Sequence, residues 1–383
     1  MPMRIAVGQG ARATDEYLDF AAQIGASGIQ FNTPDLPGEK RWELEDLVAL
    51  RERVESRGLR LEAIENIPNH FYGDCMLAGP GRDEEIDNVA ATIRNIGSAG
   101  IGLLGFNWMP NSVWRTGLLP EGRGGAVVSA FDLSLVEERS REGKLLVARR
   151  DRRVEDKKDS WSAGAMYELG VERTDGEMWA SFEYFMRALV PVAQDAGVVL
   201  ALHPDDPPVP SLGGVARIFR SVDALKRAVE LSPGPGFSIE LCLGTVSEMG
   251  GEEAVLEAIR YLGPRGKIAY VHLRDVKGTV PAFAECFLGE GNYRPAIVIR
   301  ELRAAGFDGF ILDDHTPALV GDSPYGHRGR AFALGYIQGL IEMMDLDDAP
   351  APRHAYPGPG AGDETRLAER YPDPEPGAPP PKA

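Results

Sequence analysis

Four side chains that can bind a divalent metal ion stand at the ends of successive short apolar segments in the second half of the chain. They are His203 in "VVLALH", Cys242 in "FSIELC", His272 in "IAYVH" and Asp314 in "FILDD". A single histidine or buried cysteine in such a segment is more often structural. Four potential ligands at matching positions on successive segments instead predict a metal centre.

This set of ligands narrows the choice of ion. One thiolate, two imidazoles and one carboxylate neutralise a divalent cation and leave one or two coordination positions open. On ligand softness alone, Zn²⁺ or Fe²⁺ is favoured and Mn²⁺ is less expected, because thiolate is a soft ligand.

Other polar residues near these ends predict proton transfer and substrate binding. His315 follows Asp314, and Tyr325 lies in "PYGHRGR"; both side chains can exchange protons with a substrate beside a metal. Arg274 and Lys277, in "HLRDVKG", are cations that can bind a carboxylate, although surface loops are the alternative for both. Further candidates for substrate contacts are Asn107, Glu285 and Arg330. The two aspartates of "HPDDPP", Asp205 and Asp206, are interpreted as capping a turn.

Eight short segments have the composition of strands, and amphipathic stretches separate them. In residues 83–97, for example, apolar residues recur at the spacing of a helix face. This alternation predicts a parallel sheet with crossover helices, and eight units close a (β/α)8 TIM barrel, whose active site lies at the carboxyl ends of the strands. The eight segments are 4–8, 28–32, 61–65, 102–107, 198–203, 237–242, 268–272 and 310–314.

The domain organisation follows from where this alternation is interrupted. Residues 1–347 are predicted to form one barrel, with an insertion at 108–175 after the fourth strand that could act as a lid on the catalytic face. Its charged run at 148–159 is interpreted as a solvated helix or loop. Residues 348–383 are rich in proline and glycine and are predicted to be a disordered tail, with a contact to a neighbouring subunit as one possible role. A chain of 383 residues also has room for two domains, and "GQGARA" at 8–13 is a poor version of a dinucleotide-binding loop.

Composition excludes several classes of partner. The net charge of −17 argues against nucleic acids and anionic membranes, while a few local arginines still allow a small anionic substrate. Three scattered cysteines do not suggest a disulfide framework. The N-terminal segment lacks the apolar region of a signal peptide, and there is no run of 18 apolar residues. A cytoplasmic location is therefore expected.

Residues 60–345 resemble mannonate dehydratases, a family of xylose-isomerase-like TIM barrels. The matching stretches include "HPDDPP", "LCLGT", "HLRDVK", "DDH", "FNWMPNSVWRTG" and the closing helix "YGHRGRAFALGYIQGL". The resemblance implies that His203, Cys242, His272 and Asp314 bind Mn²⁺ or a similar divalent ion. It also implies that His315 and the tyrosine of the closing segment are catalytic. The implied reaction removes water from D-mannonate to give 2-keto-3-deoxy-D-gluconate in hexuronate breakdown, and the expected partners are a sugar acid and further copies of the chain.

Several rim segments differ from the family pattern, which leaves the substrate open. The chain has Cys-Leu-Gly-Thr where the family tends to have Cys-Thr-Gly-Ser, and Thr316 follows Asp-His where glycine is usual. "AVGQG" replaces an aromatic-rich first strand, and "ENIPNH" replaces Glu-Ser-Val-Pro-Val-His. A metal-dependent sugar isomerase or epimerase is the first alternative, but such barrels more often bind their metal without cysteine. A non-catalytic sugar-acid-binding barrel is the second, and the presence of His315 and Tyr325 argues against it.

Overall fold

Strands and helices alternate along the chain. The structure is a computed structural model that describes residues 3–141 and 169–346. Its strands are β1 (Arg4–Ile5), β2 (Val7–Gly10), β3 (Gly28–Asn32), β4 (Arg60–Glu65), β5 (Leu103–Asn107), β6 (Gly117–Leu119), β7 (Val128–Asp132), β8 (Val199–His203), β9 (Ser211–Leu212), β10 (Val215–Ala216), β11 (Phe237–Cys242), β12 (Ile268–His272), β13 (Asp275–Thr279), β14 (Ala282–Cys286) and β15 (Phe310–Leu312). Its helices are α1 (Asp15–Gln23), α2 (Leu44–Glu55), α3 (Gly73–Leu77), α4 (Arg82–Ser98), α5 (Leu133–Arg141), α6 (Asp175–Asp195), α7 (Val222–Leu231), α8 (Leu243–Leu262), α9 (Pro295–Ala304) and α10 (His327–Leu346).

The main sheet closes into a barrel through its first strand. That strand is divided at Ala6 into β1, which pairs with β15, and β2, which pairs with β3. The sheet order is β1-β15-β12-β11-β8-β5-β4-β3-β2, and every pairing in it is parallel. The described residues therefore form the predicted barrel of eight parallel strands, because β1 and β2 are two halves of one strand.

The insertion returns to the barrel through a well-capped helix. In α6, Thr174 and Glu177 form a reciprocal capping box, which satisfies donors that a helix start otherwise leaves free. Phe182 and Phe185 on the buried side of this helix pack against Trp108, at the beginning of the insertion. Trp108 and Trp114 are fully buried. The aromatic start of the insertion thus belongs to the hydrophobic packing around the barrel.

A second, antiparallel sheet lies beyond the end of β12. Its order is β13-β14-β7-β6, so it combines a hairpin from the barrel with two strands of the insertion. Phe131 and Phe283 stack across it with ring centroids 5.7 Å apart. Because β13 starts three residues after His272, this sheet adjoins the carboxyl end of the barrel.

Three predictions about the chain's course need correction or lie outside the described residues. The eighth strand is shorter than predicted, because β15 ends at Leu312 and Asp314 has a left-handed φ of 53°. The charged run at 148–159 and the tail at 348–383 lie outside the described residues. Met1–Glu342 make up one compact unit, and of Met343–Ala383 the structure describes only the end of α10. No helix within residues 3–141 and 169–346 is long and apolar enough to cross a membrane.

Candidate metal centre and active site

The four predicted metal ligands meet at one point on the rim of the barrel. One ligand atom each from His203, Cys242 and His272 lies within 4.8 Å of the other two. Asp314 completes the group, with Oδ1 3.6 Å from Nδ1 of His272 and Oδ2 3.7 Å from Sγ of Cys242. We call these four residues the ligand cluster.

Strand register explains why they meet. Cys242 pairs with His272 across β11 and β12, so the two side chains stand at the same height. His203 ends β8 immediately before a proline, and its Nδ1 donates to the Pro204 carbonyl at 2.6 Å. Because Nδ1 carries the proton, Nε2 is the nitrogen left to bind a metal, in the way that ligating histidines are usually oriented.

The electrostatics of the cluster favour a thiolate. Burial opposes ionisation of Cys242, but Arg274 and the two neighbouring histidines lower the pKa of this thiol well below its usual range. Burial also disfavours a charged His203, but Glu240 and Cys242 raise its pKa to about 10. A thiolate is the form of cysteine that binds metals, and bound metal displaces the protons of its histidine ligands.

The ring nitrogens of His272 indicate whether a metal ion fits between these side chains. Its ring is fully buried, and neither nitrogen makes a hydrogen bond of good geometry with the described residues. Nδ1 faces Asp314, while Nε2 lies 3.1 Å from Glu240 Oε1 and 3.2 Å from Glu65 Oε2. An ion on the Nδ1 side would give the buried nitrogen its missing partner, and a cysteine, two histidines and an aspartate suit a divalent transition metal. The donor set therefore fits.

A layer of polar residues beneath the cluster was missed from the sequence. Tyr270 donates its hydroxyl to Oε2 of Glu240 at 2.6 Å, and Gln30 donates to Glu65. Burial and the neighbouring Glu65 raise the pKa of Glu240 to about 8. The available signal was alternation: Glu240 precedes Cys242 by two positions, as Tyr270 precedes His272, so each pair faces the same side of its strand.

His315 lies directly beside the cluster. Its Nδ1 donates to Oε1 of Glu285 at 2.8 Å, and its Nε2 lies 3.4 Å from Oδ1 of Asp314. Burial opposes ionisation of Glu285, but His315 and two arginines lower its pKa to about 2. Glu285, predicted as a substrate contact, is therefore an anion that orients His315.

Arg274 contacts the protein's own acidic groups. Its guanidinium is 1% exposed and donates to Glu285 at 2.9 Å and to Asp206 at 2.9 Å. Its Nε lies 3.1 Å from Oδ2 of Asp314, and its Nη2 donates a hydrogen bond to Sγ of Cys242 at 3.6 Å. The predicted grip on a substrate carboxylate remains untested, and these contacts instead make Arg274 the counter-ion of the cluster.

The two aspartates after His203 have different roles. Asp205 accepts the Phe219 N–H, 14 positions further along the chain, at 2.7 Å, so it ties two parts of the loop together and the local capping interpretation is wrong for it. For Asp206 the capping interpretation is wrong as well, because both its oxygens accept from Arg115, at 2.6 and 2.7 Å. Arg115 comes from the insertion and was not selected from the sequence, although it stands in the "WRTG" stretch of the resemblance.

Comparison with known proteins identifies the family. Residues 3–349 match the family described as D-mannonate dehydratase (UxuA). The chain belongs to the D-mannonate dehydratase family. The mannonate dehydratase of Thermotoga neapolitana is 31% identical over 344 residues, covering 84% of this chain and 91% of that protein. The predicted membership, and with it the enzyme class of hydro-lyases, is confirmed.

Solved structures agree with this assignment. The crystal structure of mannonate dehydratase from Streptococcus suis superimposes with a TM-score of 0.75 at 27% identity, covering 92% of this chain and 97% of that one. An L-ribulose 3-epimerase gives a TM-score of 0.53 at 15% identity, over 91% of this chain and 99% of that one. The second likeness shows the barrel fold alone, which is confirmed.

Tyr325 precedes α10, and Arg330 lies in the first turn of that helix. Tyr325 donates its hydroxyl to the Gly8 carbonyl at 2.7 Å, and burial raises the pKa of this phenol, so it is protonated. Arg330 donates to the Asp314 carbonyl at 2.9 Å and to the Tyr325 carbonyl at 3.0 Å. Arg330 therefore fixes the loop that carries Asp314 and Tyr325.

The last two predicted contacts differ in position. Lys277 is half-exposed on β13, with Nζ 3.8 Å from Glu290, and the structure does not bring it to the ligand cluster. Asn107 pairs with His203 across β5 and β8 and lies half-buried on the rim. Of the two, only Asn107 is next to a predicted ligand.

Proposed function

We propose that this member of the family removes water from D-mannonate to give 2-keto-3-deoxy-D-gluconate. The proposed metal ligands are His203, Cys242, His272 and Asp314, and Mn²⁺ is the ion we expect first. The observation that carries the proposal is the convergence of these four side chains beside His315 in a chain of this family.

The chemistry needs one proton acceptor and one proton donor. When bound, a divalent ion stabilises negative charge that develops on oxygens of the sugar acid. A base removes the C2 proton, the C2–C3 double bond forms, and the C3 hydroxyl leaves as water after protonation by an acid. The resulting enol becomes the 2-keto product. We propose His315 and Tyr325 as these two groups.

The surroundings of His315 support its part in this assignment. Glu285 accepts from Nδ1 of His315, which directs Nε2 of that ring toward the cluster. Burial keeps the Tyr325 phenol protonated. Asn107 and Arg330 are proposed to line and shape the substrate site, Glu285 to hold His315, and Arg274 to neutralise the cluster.

The test is metal analysis of the purified protein, followed by an assay of keto-acid formation from D-mannonate with Mn²⁺ added. Cys242→Ala should lose most of its metal and at least about 100-fold in turnover. Cys75→Ala is the matched control, because Cys75 is also a buried free cysteine. It lies on α3, and its thiol donates a hydrogen bond to the carbonyl of Arg82 on α4. If Cys242→Ala keeps wild-type metal content and turnover, the proposed site is wrong.

Three further predictions of the sequence go with this proposal. Residues 1–347 are proposed as the catalytic domain, with the insertion at 108–175 covering the catalytic face and 348–383 as a tail. A homo-oligomeric assembly and a cytoplasmic location stay predictions.

A further inference from the structure

Four side-chain amides form a hydrogen-bonded chain on the rim, at the carboxyl ends of four neighbouring strands. Asn107 donates to Oδ1 of Asn66 at 2.8 Å, and Asn66 donates to Oδ1 of Asn32 at 3.2 Å. Asn32 donates to Oε1 of Gln9 at 2.7 Å, and Gln9 donates to Oδ1 of Asp314 at 3.0 Å. We call Gln9, Asn32, Asn66 and Asn107 the amide arc.

The direction of this chain is fixed at both ends. At one end, Oδ1 of Asn107 accepts the main-chain N–H of Met109 at 3.0 Å, so its nitrogen must point to Asn66. At the other end, the carboxylate of Asp314 only accepts, so Gln9 must present its nitrogen there. Each amide between them is therefore oriented by its neighbours, and no flip of one amide is possible without breaking the chain.

Counting donors and acceptors shows what the arc can still bind. Glu65 lies beneath it and accepts from Asn32 at 3.2 Å, from Asn66 at 3.2 Å and from Gln9 at 3.3 Å. Both amide hydrogens of Asn32, Asn66 and Gln9 are thus used. Within the described residues, Oδ1 of Asn66 and Oε1 of Gln9 each accept one hydrogen bond and keep one lone pair.

The two oxygens with spare capacity are held in an unusual backbone conformation. Gln9 has φ 66° and Asn66 has φ 63°, in the left-handed region that residues other than glycine rarely occupy. Such conformations concentrate at ligand-binding sites, where the surrounding structure enforces them. All four amides are half-buried, whereas Glu65 and Gln30 beneath them are buried, so a ligand can reach the arc from the rim.

We propose that the amide arc binds the hydroxyl-bearing tail of the sugar acid and so selects among acids; this rests on the proposed function. Hydroxyl groups donate to Gln9 Oε1 and Asn66 Oδ1, and the remaining hydrogen of Asn107 meets a hydroxyl oxygen. A carboxylate is repelled by these oxygens, so the acid end of the substrate lies toward the ligand cluster. The arc therefore sets both the orientation of the substrate and the length and stereochemistry of the tail it accepts.

The test uses Asn66→Gly, because glycine tolerates the positive φ while removing the amide. The kcat/KM values of wild type and variant, both loaded with Mn²⁺, are compared for D-mannonate, for five- and four-carbon aldonates, and for glycerate, which has no tail. The dissociation constant, measured by calorimetry, replaces kcat/KM for any acid that does not turn over. We expect a loss of about 10-fold or more for D-mannonate that shrinks toward none for glycerate.

The control is Asn69→Ala, which removes another amide of the same rim that donates to the Met109 carbonyl and lies outside the arc. An equal loss for every acid, or a wild-type pattern in Asn66→Gly, overturns the arc proposal. Gln9→Gly gives a second reading if Asn66→Gly does not fold. If wild type dehydrates no acid, the proposed function fails, but the dissociation constants still decide whether the arc recognises the tail. If wild type binds no acid, the proposed function and the arc proposal both fail.

Discussion

Glu240 lies inside β11, two residues before Cys242, and its environment favours the protonated form. The carboxyl group is fully buried, with Glu65 close by and the Tyr270 hydroxyl donating to it. Its pKa of about 8 follows mainly from burial and then from the charge of Glu65. The native protein therefore keeps a proton on Glu240 that the unfolded chain releases near the ordinary pKa of 4.5.

This difference predicts how stability depends on pH in the metal-free protein. Between about pH 4.5 and 8 the unfolded state binds fewer protons than the native state, so the free energy of unfolding falls as pH rises. His272 adds a contribution of the same sign, because nearby carboxylates, Glu65 first, outweigh burial and raise its pKa. The lowered pKa of Cys242 acts in the opposite direction in both proteins, so the prediction concerns their difference. The free energy of unfolding should fall more steeply with pH in wild type than in Glu240→Gln, by about 1.4 kcal/mol per pKa unit of the Glu240 shift.

The measurement is urea unfolding in chelator at several pH values across this range. Glu257→Gln is the control, since Glu257 is a half-exposed carboxylate on α8 that pairs with Lys226. Parallel pH profiles for wild type and Glu240→Gln would show that Glu240 is ionised in the native state.

At the residue scale, the convergence of the four proposed ligands was easier to predict than the groups beneath them. The proposed ligands were recognisable because each comes at the end of an apolar segment, and parallel strands bring such ends together. Glu240 and Tyr270 face the same side as Cys242 and His272, so their direction was predictable from alternation. Their partners, however, belong to other strands, and no spacing along the chain indicates which side chains meet inside a closed barrel.

At the scale of elements, the buried cation Arg115 joins the insertion to the proposed active site. Arg115 binds Asp206 at 2.6 Å and Glu285 at 3.2 Å, and both acids also contact Arg274. These four side chains come from the insertion, the loop after β8, the segment between β12 and β13, and β14. Because Glu285 also holds His315, the insertion contributes to the geometry of the proposed proton-transfer group.

We therefore expect Arg115→Ala to reduce both stability and activity. Removing the guanidinium leaves two buried carboxylates with one cation, and breaking such a buried pair typically costs about 3–5 kcal/mol. Turnover should fall because Glu285 is no longer held between two arginines, while metal content should change little. Urea unfolding, kcat at saturating Mn²⁺ and metal analysis measure the three effects.

Arg123→Ala is the matched control for this prediction. Arg123 lies in the same insertion and binds Glu290 at 2.7 Å, but its side chain is 59% exposed. An exposed ion pair of this kind typically contributes less than about 1 kcal/mol. Equal effects of the two substitutions would mean that the insertion is not coupled to the site through Arg115.

The barrel elements were predictable, and the second sheet was not. Each barrel strand is a short apolar run between helical patterns, which is a local signal. The hairpin of β13 and β14 follows His272 so closely that "HLRDVKG" read as a rim loop. Its pairing partner β7 lies about 150 residues away in the chain, in a segment recognised only as an insertion. Register between such distant segments has no local signature.

At the scale of the whole molecule, the proposed ligands connect one side of the barrel to its closure. Three ligands end the adjacent strands β8, β11 and β12, and Asp314 follows β15, which pairs with β1. An ion bound by all four would link the strand ends across half of the sheet. Metal binding should therefore stabilise the barrel as one cooperative unit.

Removing the metal should accordingly lower the Tm of the entire chain. An ion at a free concentration of about 1,000 times its Kd adds about 4 kcal/mol to the free energy of unfolding, which corresponds to a Tm difference of about 5 °C for a chain of this size.

A control is needed because the net charge is −17, and any divalent cation can screen repulsion between surface charges. Mg²⁺ at equal concentration separates the two effects, since it screens equally well but is a poor ligand partner for thiolate and imidazole. Scanning calorimetry should show Mn²⁺ raising the Tm of chelator-treated wild type well above the value with Mg²⁺, and no such difference in Cys242→Ala. Equal stabilisation by both ions, or an undiminished Mn²⁺ effect in Cys242→Ala, would mean that the ion binds elsewhere on the acidic surface.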